Sequence, residues 1–190
     1  MKTVEVVGFK REDLGKSYAK RLRLEGLAPC VLYGGEETIH FAAPMILFRD
    51  IVYTPEVCFV ELNIEGTIKK AVLQDVQFHP VSDVLLHADF LELKDDKAVK
   101  MEVPVKFVGS SPGLMVGGKL VSKLRKIKVK ALPANMPENV EVSIEGLELG
   151  KSVRIGDIEA KDYEILYNSS VTVASIAIPR ALKSAQSKGE

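Results

Sequence analysis

The stretch from Gln74 to Leu93, QDVQFHPVSDVLLHADFLEL, holds two of the three histidines of the chain within two runs in which polar and apolar residues alternate. At the two-residue period of a strand, one face of the first run carries Leu73, Asp75, Gln77 and His79. One face of the second run carries Leu85, His87, Asp89 and Leu91. Pro80 has no backbone N–H to donate and ends the first run. The stretch therefore predicts two strands joined by a short turn.

His87 and Asp89 lie two residues apart on the second strand, so their side chains should emerge side by side. Three interpretations of this pair are open. The first is a structural contact at the end of a sheet. The second is a metal site that includes His79, and the third is a pair of hydrogen-bonding groups that face RNA. The sequence contains no HExxH or CxxC motif, so it gives the metal interpretation no support and predicts no metal and no cofactor.

Composition restricts the class of protein. The chain has 190 residues, of which 46% are hydrophobic, so it can bury a core as one large domain or two small ones. Cys30 and Cys58 have no metal or redox spacing and are expected to be buried in a reducing compartment. The first residues contain no secretory signal, and no apolar run is long enough to span a membrane. We therefore expect a cytoplasmic protein.

The net charge is zero, but its distribution is uneven. Residues 1–93 hold 10 basic and 14 acidic residues, a net of −4, and residues 94–190 hold 16 and 12, a net of +4. Within the first part, residues 1–35 hold 7 basic and 4 acidic residues, a local +3. Binding of an anionic partner by the first part would therefore have to use a local basic patch.

That patch falls on a predicted helix that Ser17 caps and that runs to about Glu25, with Gly26 at its end. Leu14, Tyr18 and Leu22 form an apolar stripe at helical spacing. The cations of the helix are Lys16, Lys20, Arg21 and Arg23, and Lys10 and Arg11 precede it. The pattern fits a solvated helix face or a phosphate-binding ridge.

The remaining pattern is mostly β. A strand ends at Tyr33, Pro44 opens a second short helix, and a hairpin turns at Glu65 and Gly66. The polar segment Lys94–Lys97 suits a domain boundary. Beyond it, strands are predicted over 99–108, 119–132, 140–144 and 170–178. The sequence thus predicts domains at 1–93 and 94–180 and a flexible tail at 181–190.

Two features of the second domain resemble nucleotide- or RNA-binding motifs. The segment GLMVGGKL (113–120) has Leu120 where a phosphate-binding loop needs Ser or Thr, and a strand follows it, so we interpret its glycines as a tight connection. The cations after it fit a solvated sheet face better than an RNA contact: Lys119, Lys123, Arg125, Lys126, Lys128 and Lys130.

Three blocks, KRLRLEGLAPCVLYGG, LQDVQFHPVSDVLLHADFLEL and EVPVKFVGSSPGLMVGGKL, resemble in order the bacterial ribosomal protein numbered twenty-five of the large subunit. The similarity is to its two-domain form, general stress protein Ctc, and covers nearly the whole chain. The resemblance implies a mainly β fold with short helices: a small N-terminal β-barrel with helices that binds 5S rRNA, then a β-rich C-terminal domain.

Carried over by position, the resemblance implies a set of RNA-facing residues in the first domain: Arg11, Arg21, Arg23, Tyr33, Gln74, His79, His87 and Asp89. Lys16 and Lys20 belong to the same cationic helix, which would contact phosphates. The family's RNA-binding domain is usually basic, whereas this one has a net charge of −4. Acidic residues are therefore expected to face away from the RNA: Glu36, Glu37, Glu56, Glu61 and Glu65.

The sequence as a whole predicts a non-enzymatic, ribosome-associated component of the large subunit that binds 5S rRNA. Its expected partners are 5S rRNA and other large-subunit components, with one copy in the ribosome, and no membrane or small-molecule substrate. The alternative is a stress-related two-domain protein–protein adaptor without specific RNA binding. A metal-dependent hydrolase is less favoured, because no nucleophile–base set is visible.

Overall fold

The computed structural model describes residues 1–160 and 162–179, and the predicted tail at 181–190 lies outside them. The chain divides into two compact units, Met1–Val99 and Lys100–Glu190. The fold is mainly β with short helices, as predicted. In the described part of the chain, no helix is long and apolar enough to cross a membrane. Whether residues 1–93 act as an independent domain stays a prediction.

The N-terminal unit is a closed six-stranded barrel, which confirms the barrel that the resemblance implied. Its elements, in chain order, are β1 (Lys2–Lys10), α1 (Lys16–Leu24), β2 (Leu27–Tyr33), β3 (Ile39–Pro44), a 3-10 turn (Met45–Phe48), α2 (Arg49–Val52), β4 (Cys58–Ile64), β5 (Thr67–Phe78) and β6 (Leu85–Glu92). The strand order is β1-β3-β2-β6-β5-β4, and parallel pairing of β1 with β4 closes the barrel.

The barrel interior is apolar and aromatic. Phe41, Phe48 and Phe90 are almost fully buried, and the ring centroid of Phe90 lies 5.8 Å from that of Phe41 and 6.1 Å from that of Phe48. Cys30 and Cys58 are buried free thiols, as the sequence predicted, and burial raises the pKa of both. Successive side chains of a strand point to opposite faces, so the strand neighbours of these inward-facing residues point outward.

The C-terminal unit contains two sheets. Its elements are β7 (Val99–Val108), α3 (Pro112–Met115), β8 (Lys119–Ser122), β9 (Lys126–Ala131), a 3-10 turn (Pro133–Asn135), β10 (Val140–Ser143), β11 (Ser152–Arg154), a 3-10 turn (Ile155–Asp157), β12 (Glu164–Ile165) and β13 (Thr172–Ala177). The sheet orders are β10-β7-β9-β12 and β11-β13-β8, and both sheets contribute buried apolar residues.

Several boundaries differ from the sequence-based expectations. Gly15, not Ser17, precedes α1, and no side chain caps this helix. Pro44 ends strand β3 instead of opening a helix, because residues 39–44 pair with β2 and the 3-10 turn begins at Met45. The single strand expected over 119–132 is two strands, β8 and β9, which belong to different sheets. The hairpin at Glu65 and Gly66 is confirmed, and both residues adopt positive φ angles in a two-residue turn.

Strand β5 contains the difference that matters most for the site. Leu73 pairs with Phe90, but the next pair is Asp75 with Asp89, so Gln74 is an extra residue in a β-bulge. Leu73 and Val76 both pack against the core, and Asp75 therefore points outward. The predicted common face of Leu73 and Asp75 is wrong for this reason. Leu85 is likewise buried in the core and does not share the face of His87 and Asp89.

Candidate nucleic-acid interface

A strip of polar side chains runs across the outer surface of the barrel on three neighbouring strands. Cys30 and Leu32 on β2 and Ala88 and Phe90 on β6 are completely buried, so the residues between and beyond them point outward. We call the outward polar residues of β2, β6 and β5 in this region the polar face: Tyr33, Asp75, Gln77, His87 and Asp89. Asp75 lies opposite Asp89, and Gln77 lies opposite His87.

His87 and Asp89 are side by side, as their spacing predicted. Asp89 Oδ1 lies 2.8 Å from His87 Nδ1, and both side chains are about one-third exposed. This contact is short, but it does not have the geometry of a hydrogen bond. The pair is thus fixed on a rigid strand and reachable from solvent, which a buried structural contact would not be.

Tyr33 belongs electrostatically to the same cluster. Partial burial raises the pKa of its phenol, and the negative charges of Asp89 and Asp75 raise it further. The hydroxyl therefore keeps its proton to higher pH than a free tyrosine and remains a hydrogen-bond donor beside two carboxylates. Asp75 was not among the predicted site residues, although the sequence placed it on one face with Gln77 and His79; its position opposite Asp89 depends on the bulge at Gln74.

The cationic helix α1 packs against β2 and is tied to β6 by Arg23. The Arg23 Nε donates a hydrogen bond of 3.0 Å to the carbonyl oxygen of Leu86, the residue that precedes His87. Arg23 therefore has a positioning role that the sequence did not reveal. Lys16 and Lys20 are exposed and form no ion pair with any residue that the structure describes.

Two arginines stack on one tyrosine at the start of this helix. The guanidinium carbons of Arg11 and Arg21 lie 5.6 Å and 5.0 Å from the centre of the Tyr18 ring. The sequence placed Tyr18 in an apolar stripe; of its three residues only Leu22 is buried, and Leu14 is 58% exposed. The spacing of Tyr18 and Arg21, three residues apart on a helix, was the available signal for this contact.

Two buried side-chain atoms lack a hydrogen-bond partner among the described residues, and both belong to predicted site residues. They are the Nε of Arg11 and the Oδ1 of Asp89. Buried polar groups in native proteins are nearly always hydrogen-bonded, so such exceptions call for an explanation. Neither atom is open to solvent in the free protein, so a partner would reach it only after a movement of the side chain.

His79 and Gln74 lie at the edges of the polar face. His79 Nδ1 accepts hydrogen bonds from the backbone N–H groups of Val81 and Ser82, at 3.3 and 3.2 Å. This nitrogen therefore holds the turn between β5 and β6. Gln74 occupies the bulge itself. In the described part of the chain, no three His, Cys, Asp or Glu side chains form a group that could hold a metal ion.

The acidic residues that were expected to face away are divided between two places. Glu56 and Glu61 lie just before and on β4, which neighbours β5 but not β2 or β6 in the barrel. Glu65 lies in the turn after β4 and accepts a hydrogen bond of 3.1 Å from the backbone N–H of Lys10, beside Arg11. Glu36 and Glu37 lie in the exposed loop between β2 and β3, close in sequence to Tyr33. Of these five acids, Glu56 and Glu61 are thus removed from β2 and β6, whereas Glu36 and Glu37 lie close in sequence to Tyr33 and Glu65 lies beside Arg11.

The basic run of the C-terminal unit lies on a face of mixed charge. Lys128 forms an ion pair of 3.7 Å with Glu102, and Lys130 forms one of 3.4 Å with Glu164. These acids lie on the neighbouring strands β7 and β12, so they offset the cations of β9. This arrangement agrees with the solvated face that the sequence favoured.

These features define a class of protein: a two-unit β protein whose N-terminal barrel carries a polar face beside a cationic helix. Comparison with known proteins identifies the family. Residues 7–90 match the model of the Ribosomal L25p family, and residues 98–180 match the model described as ribosomal protein TL5, C-terminal domain.

Full-length relatives agree with both family models. The chain is 53% identical to the large ribosomal subunit protein bL25 of Cytophaga hutchinsonii, over 96% of this chain and 95% of the relative. It is 45% identical to the protein of the same name from Amoebophilus asiaticus, over 100% and 97%. The chain belongs to the bL25 family, and the resemblance identified from the sequence is confirmed.

Proposed function

We propose that this protein is a structural, non-enzymatic component of the large ribosomal subunit that binds 5S rRNA through its N-terminal barrel. Its relatives are named as large-subunit proteins, which supports ribosome association in the bacterial cytoplasm. The proposed contact residues are those of the polar face and the cationic helix, together with Arg11, Gln74 and His79. One copy is proposed to bind in each subunit.

The observation that carries this proposal is the continuity of the polar face with the cationic helix. Tyr33, His87 and Asp89 present donors and acceptors on adjacent strands, and Arg23 ties α1 to the strand that carries two of them. A-form RNA displays ribose hydroxyls and base edges in a wide, shallow minor groove, with phosphates on either side. Strand-borne polar groups suit the groove, and helix-borne cations suit the phosphates.

The cationic helix and the polar face would contribute differently to binding. The cations of α1 would supply affinity without sequence preference, because they contact phosphates. The polar face would supply discrimination, because its donors and acceptors are fixed in position on the barrel. The net charge of −4 on residues 1–93 opposes the approach of RNA at long range, so binding depends on these local contacts.

The test is a titration of labelled 5S rRNA and of an unrelated structured RNA of equal length with the full chain. We expect binding of 5S rRNA to be at least tenfold tighter at physiological salt, by analogy with specific nucleic-acid complexes in general. Equal affinity for the two RNAs would contradict the proposal and favour the adaptor alternative.

A further inference from the structure

A second surface of the N-terminal unit is open, apolar and preformed. The segment after β3 and the turn between β5 and β6 enclose a cavity of about 160 Å³. Its floor includes Phe48 and Leu85, which are 2% and 6% exposed, and its rim includes Tyr53, Phe78 and Val84, which are 66%, 38% and 39% exposed. Concave apolar surfaces with an exposed apolar rim are typical of binding sites.

Hydrogen bonds hold the turn at the cavity in one conformation. His79 donates its backbone N–H to Val84 and accepts one from Asp83, at 2.9 and 3.0 Å, and its ring Nδ1 accepts two more from the turn. On the opposite side of the rim, the rings of Tyr53 and Phe78 lie 6.3 Å apart. The cavity is therefore available without rearrangement of the backbone, which lowers the cost of binding.

Asp83 gives the cavity its charge. It is the only charged residue in the cavity lining, and it is exposed. Its carboxylate makes no hydrogen bond or ion pair with any described residue. A carboxylate at the edge of an apolar cavity repels phosphate and attracts a cation. Because the cavity lining contains no cation that could contact phosphate, the surface is more complementary to a basic polypeptide than to nucleic acid.

We propose that this cavity is a docking site for a basic polypeptide segment that inserts a phenylalanine ring against Phe48 and Leu85 and sets a lysine or arginine beside Asp83. A cavity on the order of 150 Å³ is large enough to hold a benzene ring. No residue of the polar face or the cationic helix lines the cavity. That the partner is a neighbouring protein of the large subunit rests on the proposed function, but the chemistry of the docking site does not.

The test is an NMR titration of the methyl-labelled full chain with the probe acetyl-Phe-Arg amide. We expect saturable shifts, with affinity on the order of millimolar, at methyl groups that line the cavity, such as those of Met45, Val52 and Leu85. Acetyl-Phe-Glu amide and acetyl-Ser-Arg amide should bind at least several-fold more weakly. Equal binding of all three probes, or shifts elsewhere in the chain, would overturn the proposal.

Two variants and a matched control complete the test. Asp83→Asn keeps a residue that tolerates the positive φ of 52° and should weaken the probe up to about fivefold. Tyr53→Ser should also weaken the probe, whereas Ile68→Ser, which removes an equally exposed side chain on another part of the barrel, should not. Neither Asp83→Asn nor Tyr53→Ser should change binding of 5S rRNA, so this inference and the proposed function can fail independently.

Other occupants of the cavity would give distinct results. Shifts of the same methyl groups on dilution of the protein alone would assign the cavity to a second copy of the chain. Shifts of these groups on addition of 5S rRNA, with none on addition of the probe, would assign it to RNA. Either result would overturn the proposal.

Discussion

Asp89 faces a second carboxylate, that of Asp75, across the ladder between β5 and β6. Like charges directly opposite each other destabilise a sheet, so this arrangement does not serve the stability of the free protein. The neighbouring Tyr33 and His87 can donate hydrogen bonds, but Asp89 Oδ1 remains without one. At the scale of single residues, the polar face is therefore better suited to a complex than to the isolated barrel.

Asp89→Ala tests this view of the pair. If Asp89 accepts a hydrogen bond from RNA, its loss should weaken binding of 5S rRNA by about 1 kcal/mol, roughly fivefold. The melting temperature should stay within about 3 °C, because the pair with His87 is partly exposed. Binding is measured by titration and stability by circular dichroism.

Glu61→Ala is the control, because it also removes one negative charge from the barrel but on β4. A purely electrostatic effect should strengthen RNA binding slightly in both variants. Weaker binding by Asp89→Ala alone indicates a specific contact. A large fall in melting temperature with RNA binding intact would instead make the pair structural.

Tyr33 gives a prediction about the free protein. Burial and the charges of Asp89 and Asp75 raise its pKa, so Asp89→Asn should lower that pKa toward the ordinary value. Because the folded-state pKa lies above the unfolded value, the stability from this group is complete below pH of about 10 and is lost as pH rises through the folded pKa. Phenolate absorbance during alkaline titration measures the change, with Asp83→Asn as the control. No change in the titration would mean that Asp89 and Tyr33 are not close.

Among the elements, helix α1 both carries exposed cations and is attached to the barrel, and its sequence did not show which residue has which role. The amphipathic spacing correctly predicted a helix that carries these cations, but it did not show which arginine contacts the barrel. Arg23 reaches the carbonyl of Leu86, whereas Arg21 lies over Tyr18 and 3.8 Å from Glu25 in an exposed pair. This difference depends on how the helix packs, which local periodicity does not encode.

Arg21→Ala and Arg23→Ala should therefore differ. Arg21→Ala should reduce the slope of log affinity against log salt concentration by up to about one unit and leave the melting temperature unchanged. Arg23→Ala should lower the melting temperature by several degrees, because it removes a hydrogen bond worth on the order of 1 kcal/mol. RNA titrations at four salt concentrations and thermal melts of both variants measure this. Identical effects of the two substitutions would contradict the assignment.

The β5–β6 pair shows where a period of two succeeds and where it fails. Alternation correctly placed His87 and Asp89 on the outside of β6, because β6 itself contains no extra residue there and pairs regularly with β2 from Ala88 to Leu91. It failed at Leu73 and Leu85, since both lie next to irregularities in the ladder. Such irregularities arise from the closure and curvature of the barrel, which are properties of the whole sheet rather than of the local sequence.

The net charge of each unit does not show where its cations are available to a partner. The C-terminal unit has the larger number of cations, yet Lys128 and Lys130 are paired with acids. The N-terminal unit is acidic on average, yet its cations concentrate on and just before α1. Average charge would thus assign RNA binding to the C-terminal unit, whereas local geometry supports the N-terminal one.

The most direct measurement is binding of 5S rRNA by residues 1–99 and by residues 100–190, produced separately and compared with the full chain. Circular dichroism of each piece confirms that it folds. We predict that residues 1–99 bind 5S rRNA in preference to an unrelated RNA with nearly the affinity of the full chain, and that residues 100–190 show no such preference. Specific binding by residues 100–190 alone would contradict the proposal that the N-terminal barrel binds 5S rRNA.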